Sequence, residues 1–120
     1  MRFFEQEVPN TRFFVTCLPD DPTPAGLCFL WDLDTMIPWM GIGVRHDCLG
    51  QHIGSFTIDH LLAFAGERGC GGVLLTTAQD NFPAQRLYES RGFEKLGVHH
   101  DGEFLYLKRF AAGPIAPRED

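Results

Sequence analysis

The sequence predicts an α/β (α+β) fold with a mixed, mostly antiparallel sheet and two main helices, and three observations predict it. Three runs rich in aromatic, β-branched and other apolar residues, separated by Pro- and Asp-rich turns, fill the first 44 residues. The third run leads through a glycine turn into an amphipathic segment with a helical apolar stripe and then into a second buried-strand pattern, as a crossover between parallel strands requires. A short helical pattern and two further strand-like runs close the chain.

In order, Met1 to Val8 mixes Phe3 and Phe4 with Glu5 and Glu7 and reads either as an edge strand or as a loose arm. Arg12 to Leu18 is a strand that stops at Pro19, and Pro19 to Pro24 is a hairpin connection whose prolines remove donors and fix φ. Ala25 to Asp32 is a second strand and Ile37 to Val44 a third, giving an antiparallel meander. Gly41 and Gly43 leave one face of the third strand without side chains. Either something approaches its backbone there, or a helix packs tightly against it.

The stretch Val44 to Gly54, with glycines at 50 and 54, ends this strand and opens a helix that runs to Arg68. Ile58, Leu61, Leu62 and Ala65 recur at helical spacing and form the stripe that packs on the sheet. Backbone N–H groups converging at such a helix start attract a phosphate. Gly69, Gly71 and Gly72 end the helix, and Gly72 to Thr77 is a buried parallel strand. Asp80 and Asn81 are natural N-caps, Pro83 suits a first turn, and Ala84, Leu87 and Tyr88 mark one face of a helix ended by Gly92. Phe93 to His99 and Glu103 to Phe110 are strands joined by a turn at His100-Asp101-Gly102, and the tail from Ala111 to Asp120 is expected to be disordered.

At 120 residues the chain is expected to form one domain, spanning 1–110. A net charge of −6, with ten Lys and Arg scattered along the chain, argues against a nucleic-acid surface. The apolar runs fall far short of the ~20 residues that span a bilayer, and the N-terminus has no apolar h-region, so the expected compartment is the cytoplasm. Cys17, Cys28, Cys48 and Cys70 form no CxxC pair and read as reduced, buried small hydrophobes, with Cys48 the one whose acidity a following helix N-terminus would raise. His99 and His100 are adjacent in a turn, the wrong spacing for two ligands on one helical face, so no metal is assigned.

Residues Asn81 to Phe93 (NFPAQRLYESRGF) fit the pattern N-x-x-A-x-x-L-Y-x-x-x-G-F. Together with the strand, glycine turn and helix from Met40 to Gly69, this pattern resembles the GNAT superfamily of acyl-CoA-dependent N-acyltransferases. The resemblance runs from about Arg12 to Phe110 and implies a sheet with a splayed parallel strand pair, acetyl-CoA as cosubstrate, and transfer of an acetyl group to a primary amine. By matching position it implies that Ile42, Val44, Leu49, Gly50, Gln51, His52, Ile53, Gly54, Ser55 and Asn81 contact the cofactor. It implies that Tyr88 protonates the leaving thiolate, for which ordinary phenol and thiol pKa values of about 10 and 8.5 are well matched.

The chain departs from the family where Leu49 stands in place of the usual Arg or Gln and His52 in place of a central glycine. Arg45 or His52 offers compensating charge, although both also suit an ordinary surface. Too few residues precede the strand at Arg12 for a first strand plus the two helices that usually wall the acceptor pocket. That front end leaves an exposed edge and motivates an expected homodimer.

No residue stands out as the general base. Asp32, Asp34 and His46 suit solvated turns, and Thr76 and Thr77 suit the cleft wall. The acidic balance leans towards a cationic acceptor, a small amine or a protein lysine. The alternative function is a non-catalytic acyl-CoA-binding module that regulates a protein partner.

Overall fold

The computed structural model describes residues 2–8 as backbone and residues 11–21, 23–45 and 52–110 with their side chains. Among the described residues the strands are β1 (Arg2–Val8), β2 (Thr11–Cys17), β3 (Pro24–Trp31), β4 (Trp39–Val44), β5 (Gly72–Thr77), β6 (Glu94–Val98) and β7 (Phe104–Arg109), with helices α1 (Ile53–Arg68) and α2 (Phe82–Ser90). They form one seven-stranded sheet in the order β1-β2-β3-β4-β5-β7-β6. The β4–β5 pair is parallel and every other neighbouring pair is antiparallel.

The local chemistry sets the element ends. Asp32 has φ 60°, a left-handed turn conformation that stops β3 at Trp31. The next strand starts at Trp39 rather than at the expected Ile37, because Pro38 has no N–H to give a ladder. Helix α1 starts at Ile53 and closes at Gly69, φ 91°, where the Cys70 N–H reaches the Ala65 carbonyl at 3.1 Å. In α2, Asn81 caps the N-terminus by accepting from the Ala84 N–H at 3.3 Å. Arg2–Val8 form an edge strand, β1, paired with β2 from Arg2↔Cys17 to Val8↔Thr11. A first strand is therefore present, and only positions 9 and 10 lie between it and β2, with no room for helices there.

Both helices pack on one face. The core joins Ile58, Leu61, Leu62 and Ala65 of α1 and Tyr88 of α2 to Phe14, Cys28, Leu30, Met40, Val73, Leu75 and Tyr106 of the sheet. These sheet residues alternate along their strands, which puts them all on the helix-facing side. Full burial of a large side chain such as Phe14 or Ile58, 1% and 0% exposed, contributes about 1.5–3 kcal/mol each. The Thr16 and Thr57 hydroxyls, both fully buried, satisfy each other at 3.0 Å. Cys17, Cys28 and Cys70 are buried as expected, whereas Cys48 lies outside the described residues.

No helix lies on the opposite face among the described residues. That face carries Phe13, Val15, Leu27, Phe29, Trp31 and Trp39, all partly exposed. Gly41 is explained there by a cross-strand aromatic ring, since a Cβ at Gly41 would lie 2.7 Å from Phe29 Cζ. At Gly43 a Cβ would meet nothing within 4 Å.

Candidate active site

Strands β4 and β5 are held together at their N-terminal ends by Gly71 N–H to Met36 O at 2.8 Å and Leu74 N–H to Pro38 O at 3.0 Å. Trp39↔Leu74 is the one register pair between them. Beyond it the strands part, and the backbone of β4 from Gly41 to Val44 is left without a partner on the β5 side. A parallel pair that opens in this way presents strand N–H and C=O groups to a ligand.

A cavity of about 550 Å³ lies on the helix side of the split, within the range of small-molecule sites. Its walls are β4 (Ile42, Gly43, Val44), the start of α1 (His52 to Ser55) and the start and inner face of α2 (Asn81, Pro83, Ala84, Leu87, Tyr88). The walls meet closely, since a Cβ at Gly54 would lie 3.5 Å from Leu87 and 3.6 Å from Val44. Arg91 spans the helices with Nε 2.9 Å and Nη2 3.0 Å from the two carboxylate oxygens of Asp59.

Eight of the residues expected at the site, Ile42, Val44, His52, Ile53, Gly54, Ser55, Asn81 and Tyr88, line this one cavity. Leu49, Gly50 and Gln51 lie outside the described residues, as does His46. The α1 N-terminus has no side-chain cap and no acidic residue in its first turn. The N–H groups of Ile53, Gly54 and Ser55 precede the first intrahelical bond, Phe56 N–H to His52 O at 3.0 Å, and so are the donors a helix start leaves without intrahelical partners. The side chain of Ile53 is buried against Ala25, which leaves its backbone as the part that serves the cavity.

His52 sits in the left-handed region, φ 61°, where glycine is at home. The backbone of a central glycine is kept although the residue is not. Arg45 pairs with Asp21 at 3.0 Å, which spends its charge at the β2–β3 turn.

Tyr88 is 6% exposed and packs at a tilt against Phe93 and Tyr106, with centroids 5.7 Å and 6.0 Å away. Burial pushes its phenol up to about 12. The close match of phenol and thiol acidities expected from ordinary values is therefore corrected: this tyrosine holds its proton more tightly. The sequence reading missed Pro83, Ala84 and Leu87 as cavity residues, and left open whether the bare backbone at Gly43 meets a ligand or a helix. Ala84 and Leu87 were legible as an apolar helix face, but that signal does not separate a face packed on the core from one that also walls a cleft.

The family model for the acetyltransferase (GNAT) family matches residues 2–93. The chain belongs to the GNAT acetyltransferase family. No curated protein matches the sequence. Solved structures that share the GNAT fold include a domain from Methanocaldococcus jannaschii, 21% identical, TM-score 0.76, covering 86% of this chain and 69% of that one. A GCN5-related N-acetyltransferase from Kribbella flavida is 17% identical with TM-score 0.76, covering 88% and 71%. PaiA N-acetyltransferase from Thermoplasma acidophilum, solved with coenzyme A, is 14% identical with TM-score 0.74, covering 84% and 62%.

Proposed function

We propose that the chain is an N-acetyltransferase that moves an acetyl group from acetyl-CoA to a primary amine by direct attack. The observation that carries this reading is the joint lining of one cavity by the open backbone of β4, the uncapped start of α1 and Tyr88. In this reading the α1 amides and Ser55 hold the pyrophosphate, since a helix start offers donors and a positive dipole end to an anion. The backbone of Ile42 to Val44 pairs with the amides of the pantetheine arm as a strand would. Asn81 has its Oδ1 engaged by Ala84 and turns its NH2 to the arm. Leu49, Gly50 and Gln51 complete the phosphate turn by sequence position.

In the transfer, the amine nitrogen bonds to the thioester carbon, the C–S bond breaks, the amine loses a proton and the thiolate gains one. Passing a proton outright from Tyr88, at about 12, to a thiolate of ordinary pKa is uphill by about 5 kcal/mol. Tyr88 therefore acts as a hydrogen-bond donor to the developing thiolate, and the thiolate then takes a proton from the same water that receives the proton lost by the amine. Within the cavity the titratable side chains are His52 and Tyr88 alone among the described residues. Neither faces the amine in this arrangement, so the ammonium proton leaves through water.

The rival reading is a non-catalytic acyl-CoA-binding module, favoured by the absence of helices between β1 and β2. Thiol release from acetyl-CoA with a panel of amines separates the two. Amine-dependent release that falls at least tenfold in Tyr88→Phe supports the enzyme, and binding without release supports the module.

A further inference from the structure

Gln85 is a buried polar side chain of α2, 8% exposed, that takes no part in the transfer chemistry. It falls on a position that the N-x-x-A-x-x-L-Y pattern leaves free, between Ala84 and Leu87, both of which line the cavity. Its Nε2 donates to two successive carbonyls, Ala78 O at 3.2 Å and Gln79 O at 2.9 Å. Both carbonyls belong to the turn that leads from the end of β5 at Thr77 to Asn81. The backbone closes the same turn through Asn81 N–H to Ala78 O and Phe82 N–H to Asp80 O, each at 3.1 Å. From outside, Gln79 Nε2 reaches Gly102 O at 2.8 Å, in the turn between β6 and β7.

Asn81 stands where this turn meets α2. Its Oδ1 caps the helix by accepting from the Ala84 N–H, and the residue also lines the cavity. The cap fixes Oδ1 relative to α2 but not the path by which the backbone arrives from β5. That path is held by Gln85. The Gln85 N–H closes the first turn of α2 on Asn81 O at 3.1 Å while its side-chain amide holds the residues before Asn81, so one residue secures both flanks. An amide alone suits the position: a glutamate would set a carboxylate against two carbonyl oxygens, and a methionine would fill similar space and give neither carbonyl a donor. A buried amide with both hydrogens engaged by one turn keeps that turn in a single arrangement.

We propose that Gln85 is a positioning residue for the cofactor: its amide holds the β5–α2 turn so that Asn81 meets the pantetheine arm of acetyl-CoA. It acts through Asn81 and touches no reacting atom. The role in cofactor binding rests on the acetyltransferase reading. The hold on the turn is measurable without acetyl-CoA.

The test compares the natural chain with Gln85→Met and Gln85→Glu, and repeats Gln85→Met in an Asn81→Ser background, which keeps a capping oxygen and removes the Asn81 amide. Turn amides exchange with solvent through local opening. Without acetyl-CoA, exchange at the Asn81 and Phe82 N–H groups should speed up about tenfold in Gln85→Met. A measurement that needs no variant stands beside it: the Gln85 side-chain amide protons of the natural chain should exchange about tenfold more slowly than those of a free glutamine. By calorimetry, Gln85→Met should weaken acetyl-CoA binding about fivefold, and Gln85→Glu should weaken it more. In the Asn81→Ser background the same Gln85→Met change should cost less than about twofold, because the group that it positions is gone. Equal losses in both backgrounds would overturn the positioning role, since the site would then have loosened as a whole. Free-glutamine exchange at the Gln85 amide, or unchanged exchange at Asn81 in a folded Gln85→Met variant, would overturn the hold on the turn. A natural chain that does not bind acetyl-CoA overturns the acetyltransferase reading, whereas binding that Gln85→Met leaves unchanged overturns the role of Gln85 alone.

Discussion

Trp39 and Leu74 are the register pair at which β4 and β5 stop being neighbours. Everything the site needs follows from that parting: free strand backbone on β4 and a cavity on the helix side. The split persists because each strand is secured on its far side. β4 pairs with β3 from Gly26↔Val44 to Trp31↔Trp39, and β5 pairs with β7 along its whole length.

Replacing Tyr88 by Phe removes the hydroxyl and keeps the ring packing against Phe93 and Tyr106. Acetyl transfer should fall at least tenfold, with acetyl-CoA affinity changed by less than about threefold, since removal of one donor to a developing charge costs about 1.4 kcal/mol or more. Unchanged transfer rates would remove Tyr88 from the chemistry.

Both tyrosines of the chain, Tyr88 and Tyr106, and the Cys28 thiol are pushed up to about 12 by burial, with Glu89 adding to the effect at Tyr106. Each native group binds its proton more tightly than in the unfolded chain. Their stabilising contribution is full below the unfolded pKa values near 9–10 and is lost as pH rises towards 12. Phenolate absorbance should therefore stay flat through pH 10 and rise together with the loss of tertiary circular dichroism. An ordinary phenol titration centred at pH 10 in the folded protein would contradict this.

His52 occupies a left-handed conformation with no side-chain hydrogen bond to the helix it precedes. A non-glycine residue there costs roughly 1–2 kcal/mol, partly offset by the entropy a glycine adds to the unfolded chain. His52→Gly should be neutral or stabilising by up to about 1 kcal/mol in urea unfolding. A loss of more than that would mean that the imidazole makes a contact the helix start depends on.

Thr16 and Thr57 are each other's buried hydroxyl partner across 41 positions. Thr57→Val should cost about 1–3 kcal/mol because it strands the Thr16 hydroxyl. The double Thr16→Val/Thr57→Val variant should be less destabilised than the sum of the singles. Strict additivity in that cycle would mean that water satisfies each hydroxyl separately.

Much of this architecture was legible from the chain. Pro19 to Pro24 and the turn at Asp101-Gly102 punctuate the strands, and the recurrence of Ile58, Leu61, Leu62 and Ala65 gives α1 its packed face. The edge pairing of β1 was open, because a short run that mixes Phe3 and Phe4 with Glu5 and Glu7 fits a paired or an unpaired strand equally. The covering of Gly41 by Phe29 was not legible, since it depends on the β3–β4 register and not on either segment alone. The same holds for the uncovered aromatic face: Phe13, Phe29, Trp31 and Trp39 are scattered over three strands and become a surface only when the register aligns them. At the site, the N-x-x-A-x-x-L-Y pattern located Asn81 and Tyr88, but the depth of Tyr88, and hence its weakened acidity, comes from the ring packing of Phe93 and Tyr106 around it.

The most direct test of the central claim is isothermal titration of the purified chain with acetyl-CoA, alongside a Leu87→Trp variant that fills the cleft between Val44 and α2. Micromolar binding by the natural sequence and its loss in a folded Leu87→Trp variant is the predicted result. An absence of heat up to millimolar acetyl-CoA, or binding that Leu87→Trp leaves untouched, would contradict the placement of the cofactor in this cavity.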